Sequence, residues 1–114
     1  MVQGSKTNFK EVVVSKIMRK DAKKMLGNVP REYEFKCQDG RMLKNIQDLE
    51  EALKSMSEET FMFHSNTEKT DFANWVRDVI GDEKLARDLA KSSQKGQAAK
   101  SVNSRIAFLS SKLN

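Results

Sequence analysis

A single cysteine, Cys37, excludes a disulfide within the chain and fits a reducing compartment. One proline and five glycines are too few for an all-β chain built on many tight turns. One histidine and one cysteine fall short of the four ligands that a structural zinc ion takes, so no metal is expected. Neither GxGxxG nor GxxxxGK[ST] occurs, which removes the two common phosphate-cradling loops and leaves no cofactor indicated. No apolar run approaches the length that spans a bilayer. The opening, MVQGSKTNFKE, has no apolar core of signal-peptide length. A cytoplasmic protein without membrane association is the expectation.

What remains is a 114-residue chain, 38% apolar and 32% charged, an ordinary size and balance for one folded domain. Its net charge of +5 is unevenly spread. Residues 1–30 carry seven Lys/Arg and two acids; residues 31–90 carry nine and fourteen; residues 91–114 carry five and none. The middle is therefore acidic and both ends are basic. Basic ends on an acidic body suit a polyanionic partner. Equally, the ends could pack on the acidic body and neutralise it.

Read in order, the chain predicts a basic helix over about 8–27. Asn8 and Glu11 stand at capping-box spacing, and Phe9, Val13, Ile17, Ala22, Met25 and Leu26 form a broad stripe. Gly27 is placed to end it in the left-handed conformation, and Pro30 forbids continuation. A short strand through Val12–Val14 competes with that helix. Tyr33, Phe35 and Cys37 alternate with polar residues as in a half-buried strand. Asp39-Gly40 then predicts a type I′ hairpin returning through Arg41–Lys44. Asn45 caps a helix that buries Ile46, Leu49, Ala52, Leu53 and Met56.

Phe61-Met62-Phe63-His64 reads as a further strand over 60–64, with Phe61 and Phe63 on one side. Asp71, or Thr70, caps the next helix, which buries Phe72, Trp75, Val76, Val79 and Ile80. Gly81 ends it, and Asp82 caps a helix with Leu85, Ala86, Leu89 and Ala90 inward. A basic helix over about 97–113 would bury Ala99, Val102, Ile106, Leu109 and Leu113. The sum is one α+β domain over 1–114. A small antiparallel sheet, a hairpin near 32–44 plus the strand 60–64, packs with four to five helices.

Over residues 33–90 the sequence carries an F-x-x-H segment (Phe61, His64). A D-F-A-x-W helix start (Asp71, Phe72, Ala73, Trp75) and a G-D-x-x-L-A second helix (Gly81, Asp82, Leu85, Ala86) follow. This pattern resembles a small archaeal and bacterial domain family whose function is unknown. Thr70 stands where that family often has Asn. The resemblance implies a shared fold and supplies no activity and no catalytic residue.

The chemistry left to weigh is limited. Cys37 with His64 could form a nucleophile–base pair, against the simpler reading of Cys37 as a small buried hydrophobe. His64 with Asp71 could act as a general base, against a histidine that ties a loop to a helix start. Asp71 and Asp82 could share a metal, against the capping that each position already explains. The helix–Gly–helix over 71–90 invites a helix-turn-helix reading, but Asp82 and Glu83 would turn acid toward phosphates. The aromatics Tyr33, Phe35, Phe61 and Phe63 could form a stacking platform, yet FMFH carries no interleaved Lys or Arg.

The termini make the stronger binding case. Lys16, Arg19, Lys20, Lys23 and Lys24 crowd one helix, and Lys95, Lys100 and Arg105 another. Such groups contact phosphates with strong salt dependence and little sequence selectivity. A non-enzymatic binding module for nucleic acid or another polyanion is thus the first expectation. A protein-interaction or regulatory module acting through the acidic 31–90 region is the second.

Overall fold

The computed structural model describes residues 17–114. Among the described residues, six α-helices and one two-stranded antiparallel sheet make an α+β architecture dominated by helix. The order is α1 (Arg19–Leu26), β1 (Phe35–Lys36), β2 (Met42–Leu43), α2 (Ile46–Ser55), α3 (Glu58–His64), α4 (Asp71–Trp75), α5 (Glu83–Lys91) and α6 (Lys95–Ser111).

The longest helix among the described residues, α6, packs along α2. Ala98, Ala99, Val102 and Leu109 of α6 are buried, with Ile106 and Leu113 packed at the edge. From α2 come Ile46, Leu49, Ala52 and Leu53, at the i, i+3, i+4 spacing that puts them on one face. Asn45 caps α2, its Oδ1 accepting from the Asp48 N–H at 2.7 Å. Asp48 reciprocates by accepting from the Lys44 N–H at 2.9 Å. Helices α1 and α5 both pack on α6, so the basic N-terminal helix and the basic C-terminal helix are neighbours.

Of the expected N-terminal helix, residues 8–16 lie outside the described residues. Within them, Ile17 and Met18 are not helical, and the helix starts only at Arg19. Gly27 follows it with φ −82°, so the helix ends without a left-handed glycine, its N–H bonded to the Lys24 carbonyl at 3.1 Å.

The hairpin forms where expected, with Phe35 paired to Leu43 and Lys36 to Met42. Its turn is not type I′. Only Gly40 has positive φ, at 100°. The Gly40 N–H donates to the Cys37 carbonyl at 3.0 Å, and the Cys37 N–H to the Arg41 carbonyl at 2.8 Å. That is a three-residue loop ending on a glycine bulge, the next most favoured hairpin closure. Tyr33 leaves the strand, sitting exposed in a 3-10 turn over Arg31–Tyr33.

The expected strand at 60–64 is instead helix α3, which brings the helices among the described residues to six, above the four to five expected. Ser57 caps it, accepting from the Thr60 N–H at 3.0 Å, and Glu58 and Glu59 fill the first turn. Residues three apart therefore face inward together. Phe61 and His64 are buried, whereas Phe63, expected beside Phe61 on a sheet, is 48% exposed. Helix α4 runs on through a π-helical stretch, Val76–Ile80. It stops at Gly81, whose φ of 87° a side chain would strain.

Candidate functional site

Two constellations hold the residues singled out by the sequence. The first is built around His64, which is 4% exposed among the rings of Phe35, Phe63 and Phe72. The Gln38 N–H donates to His64 Nε2 at 2.9 Å. An acceptor at Nε2 leaves the proton on Nδ1, which donates to Asp71 Oδ2 at 3.1 Å. Lys69 Nζ lies 3.2 Å from the same carboxylate oxygen. The imidazole thus joins the hairpin turn, α3 and the start of α4, with both nitrogens occupied.

Asp71 does not cap its helix. Thr70 holds the cap position, without a side-chain bond, and the Asp71 carboxylate serves His64 and Lys69 instead. The His64–Asp71 pair predicted from sequence is therefore real, and it lies outside the large groove described below. Cys37 is buried in the core, and its thiol is pushed up from 9.0 to about 11 by burial, with Asp39 adding to the shift and Arg41 opposing it. A thiol held that far from ionisation is a poor nucleophile. Among the described residues no group of three or more His, Cys, Asp or Glu side chains is arranged to hold a metal ion.

Asp82 caps α5 as expected, accepting from the Leu85 N–H at 3.1 Å. It is also wholly buried beneath Arg105, whose Nε and Nη2 donate to its two oxygens at 2.7 and 3.0 Å. No sequence signal linked these two residues, 23 positions apart.

The second constellation is the basic face. Arg19, Lys20, Lys23 and Lys24 are exposed on α1, opposite Ala22, Met25 and Leu26. Among the described residues none of the four has a carboxylate within ion-pair range. Lys24 Nζ stands 3.3 Å from the point that a Cβ on Gly81 would occupy, so it reaches the turn before α5. Lys100 is exposed on α6.

Two members of the predicted cluster have other work. Lys95 Nζ donates to the Met56 carbonyl at 2.7 Å, covering the end of α2. Arg105 is the partner of Asp82, with its side chain only 11% exposed. Lys16 lies outside the described residues.

Between α1, α5 and α6 runs an open groove of about 890 Å³. Ile17, Met25 and Phe108 give it apolar walls, and Lys84, Arg87 and Lys100 give it cations. Phe108 went unnoticed in the sequence. Its signal was an aromatic off the apolar stripe of α6, bracketed by Arg105 and Lys112 one turn away on either side.

The positions of the quoted motif are architectural. Phe61, Phe72, Trp75, Leu85 and Ala86 are core, Gly81 turns and Asp82 caps. The chain matches no family model, no curated protein and no solved structure.

Proposed function

We propose that this chain is a non-enzymatic binding module of the cytoplasm that lays α1 and α6 against nucleic acid or another polyanion. One observation carries the reading. Arg105–Asp82 is the only ion pair, among the described residues, between a basic end and the acidic middle. The other carboxylates of that segment that are ion-paired find their partners within it, Asp39 with Arg41, Asp48 with Lys44, Glu50 and Glu51 with Lys54, Asp71 with Lys69, Asp78 with Arg77 and Asp88 with Lys84. This supports ends that are available to a partner more than ends spent on neutralising the body. Arg19, Lys20, Lys23, Lys24 and Lys100 remain as exposed cations on two helices that touch.

Five phosphate contacts would give an affinity falling with salt at a log–log slope of roughly −3 to −5. Fluorescence anisotropy of labelled DNA and RNA over a salt series tests this. The expected result is binding at low salt with a slope in that range. No binding of either at low salt overturns the reading.

A second reading, a protein partner on the 31–90 segment, is favoured by Met62 and Phe63, adjacent and each about half exposed on α3. It expects retention of one partner in a pull-down that Met62→Ser with Phe63→Ser abolishes, and indifference to nucleic acid.

A further inference from the structure

The groove holds more than the basic face needs. A phosphate backbone requires only exposed cations, which α1 already offers. Yet Phe108, 36% exposed, forms part of the groove wall, together with Ile17 and Met25. A volume of about 890 Å³ is within the roughly 300–1,000 Å³ of ordinary ligand clefts.

The groove is lined by acids as well as cations: Asp82 and Asp88 are held by Arg105 and Lys84, which leaves Glu83 as the one lining carboxylate without an ion-pair partner among the described residues. The cations divide into two kinds. Arg105 is committed to Asp82, and Lys84 to Asp88 at 2.6 Å. Arg87 and Lys100 line the same groove with no carboxylate in ion-pair range among the described residues, and Lys24 reaches its Gly81 end.

Two cations lie over the Phe108 ring. The Arg105 guanidinium lies over its ring at 5.0 Å and Lys112 Nζ at 5.1 Å. The first is fixed by the buried Asp82. The second is exposed and has no carboxylate partner among the described residues, so it can exchange the ring for a phosphate. An exposed aromatic ring on a groove wall, with cations beside it and the aspartates of the lining already paired, suits a base turned out of its stack beside its own phosphates. A duplex keeps its bases stacked and could offer this groove only its backbone.

We propose that the groove is the base-binding part of the basic face: single-stranded nucleic acid sets its phosphates on Lys24, Arg87 and Lys100 and turns one base against Phe108. This rests on the polyanion reading above and narrows its ligand.

The test is anisotropy on the full chain with a labelled single strand, the matching duplex, and heparin as a polyanion without bases. Wild type, Phe108→Ala, Phe108→Trp and Lys100→Gln are compared, each checked by circular dichroism. The single strand should bind about tenfold or more tighter than the duplex at equal salt. Phe108→Ala should weaken it by about 5- to 150-fold, the equivalent of the roughly 1–3 kcal/mol of one stacked base, and leave heparin binding unchanged. Phe108→Trp should keep the affinity, with its fluorescence quenched on binding, since Trp75 is buried and hydrogen-bonded to the Tyr33 carbonyl. Lys100→Gln should lower the salt slope by about one contact.

Single-strand binding that Phe108→Ala leaves intact, or equal affinity for duplex, overturns this inference alone. Failure of wild type to bind any of the three overturns the polyanion reading with it.

Discussion

Arg105 tests the division of the basic residues into structural and available ones. Arg105→Met keeps the aliphatic stem and removes the guanidinium. Asp82, wholly buried, then retains only the Leu85 N–H for its charge. Breaking a buried pair from one side costs about 3–5 kcal/mol, because it strands the other charge. Against a total stability on the order of 5–15 kcal/mol, that is a large share. Asp82→Asn is milder. Asparagine caps a helix about as well, and the Arg105 side chain is 11% exposed and can turn toward water. Its cost should be about 1–2 kcal/mol.

The double variant Asp82→Asn, Arg105→Met buries no charge at this place, so it should cost clearly less than the two single variants together. Urea denaturation followed by circular dichroism and Trp75 fluorescence measures all three. Arg105→Met costing under about 1 kcal/mol, or costs that simply add, refutes the account of a buried, coupled pair. The same Arg105→Met variant should leave the salt slope of polyanion binding unchanged under conditions where it stays folded.

Three further outcomes follow from the described contacts. His64→Leu leaves the Gln38 N–H without its acceptor and Asp71 with Lys69 alone, so thermal melts should show a loss of about 1–3 kcal/mol, whereas an equal melt would deny the tie. Phe61→Ala should cost about 3–5 kcal/mol and Phe63→Ala under about 1, in urea melts, since one ring is buried and the other is not; similar costs would favour the strand reading that α3 replaced. Cys37 is raised from 9.0 to about 11 in the fold, so the unfolded chain ionises first and stability falls as pH rises from about 9 to 11, by on the order of 1.4 kcal/mol per unit. That component is fully present below pH 9, and Cys37→Ala should remove it from the difference between urea melts at pH 8 and pH 10.5.

Local signals were readable wherever one element settled its own geometry. Asn45 and Asp82 cap as their types require, and the stripes of α2, α5 and α6 face the core at helical spacing. The exception in α5 is Ala90, which is exposed at the end of its stripe. The 60–64 segment misled because Phe-x-Phe alternates over only a few residues. The start signal that competes with it, Ser57 followed by Glu58 and Glu59, lies just upstream and belongs to a helix.

Asp39-Gly40 predicted the hairpin but not its loop, since Asp tolerates the positive φ that a type I′ turn asks of it yet does not require it, and the three-residue closure needs only Gly40 left-handed. The basic clusters were visible as composition. Their division was not: it depends on Arg105 meeting Asp82 and Lys95 meeting the Met56 carbonyl, contacts between residues far apart in sequence. The groove likewise arises only when α1, α5 and α6 come together.

The central claim is that α1 and α6 form one face for a polyanion. The most direct measurement compares the salt dependence of nucleic-acid binding in two neutralised proteins. One carries Lys20, Lys23, Lys24 and Lys100 changed to Gln. The other carries the same change at Lys36, Lys44, Lys54 and Lys69 of the acidic segment, with the same net charge. With the face on α1 and α6, the first loses most of its affinity and its slope falls toward zero, while the second keeps a slope near wild type. Equal losses in the two proteins would contradict it, because binding would then follow net charge and not a face.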